Sequence, residues 1–433
     1  MSIKVCDALC GSGKTSAAIR MMNERTDCKF IFITQYLREV ERIKAGCACR
    51  CFVEPETSDE CSTKLSHLHE LLRSGCNIAT THSLFSFYTE ETTKLIEEQG
   101  YTLVLDEVVE VISIATLSRG DLDILIKSGS VIEDGEKITW TNEDYANDFE
   151  GRFREEMMKA KSNNFLKYDD KHYCWVIPPE LFTSFEDVYV LTYMFYAQPL
   201  RNFFEMYGIE YEYIGTKLTA EGFQFCASSE MNRARSLKSK IHILEHKKVN
   251  QIGSSRNALS LSWYSSRYDK DNPDIDQMRK NLCNVFRNIW HARSNEILWT
   301  TFKEFQPNLT DRGYGLCFVP YNKRATNEYS DRRYLAYCIN NFPRPWAARF
   351  FREHGSKIDH EGYALSILIQ WIFRSAIRNG EEVWIYIPSA RMRSLLKEWL
   401  DKLEVGRDLD EIKYKTPRRR PANKKKNSSK KSQ

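Results

Sequence analysis

The chain has 433 residues, 42% of them hydrophobic and 28% charged, the ordinary balance of a protein that folds around a core. That length allows two to three domains, and no apolar run approaches the roughly 20 residues of a membrane-spanning helix. The formal net charge of +4 conceals a basic end: ten of the 63 Lys and Arg residues, and no acid, lie between Ile412 and Gln433, leaving 53 basic against 59 acidic side chains elsewhere.

The first residues enter a strand pattern directly, with no signal-peptide or transit pattern, so an intracellular, soluble protein is expected. The apolar run Ile3 to Cys6 is followed by Asp7-Ala8-Leu9-Cys10-Gly11-Ser12-Gly13-Lys14-Thr15 and a helix-forming stretch from Ser16 to Met22. Strand, glycine-rich turn, Lys-Thr and helix together read as a loop that wraps polyphosphate in backbone N–H groups at a helix N-terminus. Ala8 stands where that pattern usually begins with glycine, and is small enough for the turn. Lys14 is expected on the β- and γ-phosphates, and Thr15 on Mg²⁺.

Strand patterns recur at Phe30–Thr34, Asn77–Thr80 and Tyr101–Leu105, alternating with helical ones, which predicts a parallel sheet covered by helices. Between them lie Cys47, Cys49, Cys51, Cys61, His67, His69 and Cys76. Their C-x-C-x-C spacing lacks paired C-x₂-C knuckles, so reduced thiols rather than a zinc site are expected. The run Tyr101 to Leu105 ends in Asp106-Glu107, as expected of a buried strand whose carboxyl end faces a ligand. Asp106 would hold Mg²⁺, and Glu107 would polarise the water attacking a γ-phosphate.

From about 115 to 180 the texture changes, and an inserted α+β element is expected. It holds a hairpin at Val131–Trp140 around Asp134-Gly135, a helical stretch from Asn142 to Ser162, and a turn at Asp169-Asp170. Asp187–Thr192 returns to the first sheet.

A second α/β block follows, with strands expected at Lys240–Leu244, Glu296–Thr300, Leu316–Pro320 and Val383–Ile387, and helices at Ile275–Ala292, Asp331–Asn341 and Tyr363–Arg378. The last helix is apolar around most of its circumference, yet Gln370, Arg374 and Arg378 recur at i, i+4 and i+8. Buried arginines need anionic partners, and a polyphosphate between two domains supplies them. The basic tail suits loose contact with phosphate backbones, a localisation signal or equally a solubilising terminus, and its composition predicts disorder.

These motifs, in this order, resemble the superfamily 2 nucleic-acid helicases, in particular compact phage- and plasmid-type DEAD/DEAH-like members related to origin-binding proteins. Ala8 to Thr15 corresponds to motif I, Thr34-Gln35 to Ia, Thr80-Thr81-His82-Ser83 to Ib and Asp106 to Val109 to II. Leu191 to Tyr193, Thr300-Thr301 and Val319 to Asn327 correspond to III, IV and V, and Gln370, Arg374 and Arg378 to VI. Val109 departs from the Asp or His usual in motif II, and the second arginine falls eight rather than seven residues after Gln370.

The resemblance implies an α/β fold of two RecA-like parallel-sheet domains. Residues 1–215 form the first with its insertion, 216–411 the second, and 412–433 a disordered basic C-terminal tail. It implies ATP and Mg²⁺ as cofactors and hydrolysis between the domains. Ala8, Cys10, Gly11, Ser12, Gly13, Lys14, Thr15 and Asp106 would bind nucleotide, and Glu107, Gln370, Arg374 and Arg378 would catalyse. Thr34, Gln35, Thr81, His82, Thr300 and Thr301 would grip single-stranded or forked DNA, favoured over RNA, in replication or recombination with possible replication-protein partners and no membrane. Rival expectations are a nucleotide switch that binds without productive turnover, a terminase-type packaging ATPase and a small-molecule kinase.

Overall fold

The computed structural model describes residues 1–58, 61, 63–115, 117–142, 152–168, 173–227, 236–269, 272–322 and 328–404. The basic tail, the Asp169-Asp170 turn, Lys323 to Asn327 and the start of the expected Asn142–Ser162 helix lie outside these residues.

The first strands are β1 (Ser2–Asp7), β2 (Lys29–Thr34), β3 (Ile78–Thr81) and β4 (Tyr101–Asp106). All six residues of β4 are buried, the signature of a strand covered by helices on both faces. Five strands of the insertion come next: β5 (Ile112–Ile114), β6 (Val131–Asp134), β7 (Lys137–Trp140), β8 (Asn164–Lys167) and β9 (Tyr173–Val176). They form their own antiparallel sheet in the order β5-β9-β8-β7-β6, with the hairpin turning at Gly135-Glu136, one residue later than the expected Asp-Gly pair, where Gly135 takes the positive φ of 62°.

The chain then completes the first sheet with β10 (Asp187–Thr192), β11 (Glu212–Thr219) and β12 (Gly222–Cys226). Its order is β12-β11-β1-β10-β4-β2-β3, parallel except for β12 against β11. Strand β11 crosses residue 215, so the first sheet runs to Cys226 and the expected boundary falls too early. The second sheet is wholly parallel, in the order β13-β16-β15-β14, from β13 (Ile241–Ile243), β14 (Ile297–Thr300), β15 (Tyr334–Tyr337) and β16 (Val383–Tyr386). The expected fold class, α/β with two parallel sheets and an inserted α+β element, is the observed one.

Four expected elements differ. Asp331–Asn341, read as a helix, contains β15, whose run Leu335 to Ile339 is buried on both faces and therefore shows no strand alternation. Leu316–Pro320, read as a strand, makes a 3₁₀ turn and only a bridge from Phe318 to Trp299. The helix from Pro273 ends at Cys283 and widens into a π-helical segment, Asn284–Ile289. The helix read as Tyr363–Arg378 spans His360–Ile372, capped by Asp359 at its start. It stops where Ser375 Oγ donates to Ile372 O and Ala376 N donates to Arg332 O. Arg374 and Arg378 thus leave the helix, and their i+4 spacing places nothing.

The two halves share core. Tyr193 and Met194, just past β10, pack among the apolar residues of the second sheet. Phe350, Phe351 and Ile358 of the second half pack into the core of the first. Trp399, 1% exposed on the helix Ala390–Glu404, donates its indole N–H to Tyr193 Oη at 3.0 Å. Trp399→Ala should cost about 3–5 kcal/mol of stability in denaturant titrations, and Trp399→Phe, which loses chiefly the hydrogen bond, nearer 1 kcal/mol. Equal stability of Trp399→Ala and the parent would contradict this account of the joint.

Candidate nucleotide site

Parallel strands deliver their carboxyl ends to one edge of the sheet, and β1, β10 and β4 lie side by side there. Residues 8–13 leave β1 as a turn, with Ser12 N donating to Leu9 O and left-handed backbone at Gly11 (φ 76°) and Gly13 (φ 79°). The helix Lys14–Glu24 starts directly from Gly13. Ala8 is 2% exposed and donates its N–H to Thr192 O, so a small side chain suffices at that position. Lys14, 9% exposed, turns back on the turn itself, donating to Ala8 O at 2.7 Å and Leu9 O at 3.2 Å.

Across from this turn, Asp106 ends β4. Thr15 Oγ1 donates to Asp106 Oδ1 at 3.2 Å, which sets the two expected Mg²⁺ ligands side by side. Glu107 adopts left-handed backbone (φ 68°), held by its N–H on Leu191 O. A continuing strand would turn successive side chains to opposite faces, whereas this turn lets both acids line one cavity. For a residue other than glycine that conformation costs on the order of 1 kcal/mol or more, and such strain concentrates at functional sites. Glu107 Oε2 and Ser12 Oγ are buried with no hydrogen-bond partner among the described residues. Orphaned polar atoms beside a cationic turn fit a polyphosphate with its Mg²⁺.

The cavity measures about 310 Å³ and draws walls from both halves. Cys10, Gly11, Gly13, Lys14, Thr15, Asp106 and Glu107 face Gln370, Arg374 and Arg378 across it. Arg374, 4% exposed, donates to Pro320 O at 3.0 Å and Tyr321 O at 3.4 Å. Arg378 follows on the 3₁₀ turn Ala376–Asn379, half-buried. Sequence reasoning missed Glu39, Arg42, Phe223, Phe373 and Asn379, which also line this cavity. Glu39 and Arg42 sit on the helix Leu37–Gly46, where their charges look like an ordinary solvated face.

Burial pushes the Asp106 carboxyl up to about 7, with Glu107 and Glu39 adding to the rise and Lys14 opposing it. Burial likewise pushes the Cys10 thiol up to about 11, so it stays neutral at physiological pH.

The residues expected to grip a strand divide. Gln35 and His82 line a second cleft of about 600 Å³ that meets the first at Gln370. His82 Nε2 also hydrogen-bonds Asp106 O at 3.1 Å. Thr81 is half-buried, but Thr34 is 1% exposed and Thr300 and Thr301 are 0% exposed. These last three end or follow strands deep between helices, so in this conformation they present nothing to a surface ligand. In the cysteine-rich segment Cys47 is buried while Cys49 and Cys51 are exposed. Among the described residues no group of three or more His, Cys, Asp or Glu is gathered as a metal site, and no helix is long and apolar enough to cross a membrane.

Two largely parallel sheets, with a glycine-rich turn facing arginines of the second half, thus define a two-lobed α/β protein. Residues 235–400 match the family described as the YonV C-terminal Rossmann-like domain. Over 409 residues the chain is 40% identical to the SPbeta prophage-derived uncharacterized protein YonV of Bacillus subtilis (strain 168), covering 92% of this chain and 98% of that protein. The chain belongs to the YonV family. Among solved structures it is similar to S. tokodaii Xpd4 at 11% identity and a TM-score of 0.46, over 92% of this chain and 93% of that one. It is also similar to the DUF1998 helicase MrfA bound to DNA, at 9% identity and a TM-score of 0.28, over 89% of this chain and 46% of that one.

The raised Asp106 value has a consequence for stability. Its pKa is about 7 when folded against an ordinary 3.8, so the native state holds a proton that the unfolded state releases. The resulting penalty is absent below about pH 4, grows across the window and is complete above about pH 7. Asp106→Asn should therefore melt higher than the parent above about pH 7 in the ligand-free protein, with the gain fading toward pH 4. Parallel melting-temperature profiles for the two proteins would contradict this.

Proposed function

We propose that the chain is an ATP-dependent nucleic-acid helicase or translocase that hydrolyses ATP between its two sheets. One observation carries the reading: Lys14, Thr15, Asp106 and Glu107 of the first half and Gln370, Arg374 and Arg378 of the second line a single cavity. A site split between two lobes converts the loss of a γ-phosphate into a change in how the lobes hold each other. A kinase for small molecules does not need arginines from a second lobe.

In this reading Lys14 exchanges the carbonyls of Ala8 and Leu9 for phosphate oxygens, and the glycine-rich turn supplies backbone N–H donors. Thr15 and Asp106 would hold Mg²⁺, which would supply neutralisation of the phosphate charge. Glu107 orients the attacking water and draws its proton through the carboxylate oxygen that otherwise lacks a partner. Arg374 and Arg378 stabilise charge developing on the transferred group. The adjoining cleft takes the nucleic acid. Beside Gln35 and His82 it offers Lys159 of the insertion and Arg344 and Trp346 of the second half, cations for phosphates and a ring for bases.

A second reading, a nucleotide-gated clamp that binds nucleic acid without stepping, draws support from the core that the halves share at Tyr193, Met194 and Phe350. ATP turnover measured with and without single-stranded and duplex DNA and RNA separates the two. Turnover stimulated by a strand supports the motor, and ATP binding without turnover supports the clamp.

Lys14→Ala should abolish ATP turnover. Glu107→Gln should bind ATP and fail to hydrolyse it, and undiminished hydrolysis in that variant refutes the role given to Glu107. Arg374→Ala or Arg378→Ala should lower kcat by about 10³ where the residue acts on the transferring group; unchanged kcat in both returns them to structural duty. Arg344→Ala should weaken nucleic-acid binding and reduce the slope of log affinity against log salt by about 1. An unaltered slope would remove Arg344 from the path of the strand.

A further inference from the structure

The phosphate end of the cavity is lined by charged, polar and glycine residues, and these leave a nucleotide's base without an apolar partner. Two aromatic rings line the cavity, Phe223 and Phe373. Phe373 is 2% exposed and belongs to the core of the second half, so its ring is already spent on packing. Phe223 is half-buried, on the edge strand β12.

The hairpin of β11 and β12 holds Phe223 against the phosphate-binding turn. Thr216 Oγ1 of β11 donates to Ser12 O at 2.9 Å, and Arg20 of the following helix donates to Glu221 Oε2 at 2.6 Å. Strand side chains alternate between faces, so Phe223 and Phe225 share one. Phe225 anchors that face by stacking on Tyr189 at 5.5 Å between centroids. Phe223, two residues earlier, overhangs Gly13. A Cβ on Gly13 would lie 2.2 Å from Phe223 Cγ, so that glycine is required by the ring as well as by its own left-handed backbone.

We propose that Phe223 is the platform on which the base of the bound nucleotide stacks, which rests on the reading of this cavity as a nucleotide site. Every base has a π face, so a lone phenylalanine favours a nucleoside triphosphate over bare polyphosphate without selecting strongly among bases. Phe223 is then a positioning residue that fixes the triphosphate in the turn, and it takes no part in the chemistry.

The test is equilibrium binding of ATP and of inorganic tripolyphosphate to the full chain by calorimetry. Phe223→Ala and Phe223→Leu should weaken ATP about 10-fold or more, change tripolyphosphate less than about twofold, and Phe223→Tyr should restore ATP. Retained tripolyphosphate binding shows that the turn is intact in each variant. ATP affinity unchanged in Phe223→Leu, or equal losses for both ligands, overturns the platform. A parent protein that binds both ligands equally tightly also overturns it while leaving the phosphate site standing. A parent that binds neither overturns the nucleotide site itself.

Discussion

Charges on buried side chains are tolerated only where fixed dipoles hold them, and that constraint organises this molecule. Lys14 rests on the carbonyls of its own turn, and Arg374 on those of Pro320 and Tyr321. Asp106, for which the Thr15 hydroxyl and the Lys14 charge only partly offset burial, answers by holding its proton to about pH 7. Each group is thereby kept in place by the chain around it. Left-handed backbone at Glu107 adds the second acid to the same wall.

A second carboxylate ties this chemistry to the joint between the halves. Asp7, 4% exposed at the end of β1, accepts the N–H groups of Met194 and Phe195 at 2.8 and 3.0 Å. Tyr193 and Met194 in turn reach into the core of the second sheet, where Trp399 meets Tyr193. Strand β1 leading into the glycine-rich turn, the loop after β10 and the second half are consequently one continuous set of contacts. Asn202 Nδ2 to Ser356 Oγ at 2.7 Å, beside Phe350 and Phe351, makes a further link at the far side of the first sheet.

The sequence made the first half readable where local chemistry and tertiary context agree. The glycine-rich turn and the strands β1 to β4 and β10 follow from residue types at fixed spacing, and so does the hairpin at Gly135. Signals failed where burial erased periodicity. Strand β15 is apolar on both faces and passes for a helix, and the helix ending at Ile372 is cut short where Ala376 N–H takes a partner, Arg332 O, from a distant strand connection. The arginines reach the cavity all the same, because the turn after the helix, rather than a helical stripe, carries them there. Thr300 and Thr301 show the limit of reading hydroxyls as surface, since exposure is a property of the fold. Phe223 carried no local signal at all: its meaning comes from Gly13, about 210 residues away in the chain.

The central claim is that one site is completed by cations from the opposite half, and a transition-state analogue tests it most directly. Affinity for ADP alone and for ADP with aluminium fluoride should be measured in the parent and in the Arg374→Ala, Arg378→Ala double variant. The account predicts that the parent binds the analogue much more tightly than ADP, and that the double variant loses this preference while binding ADP nearly as before. An undiminished preference in the double variant would contradict a nucleotide site shared between the two halves.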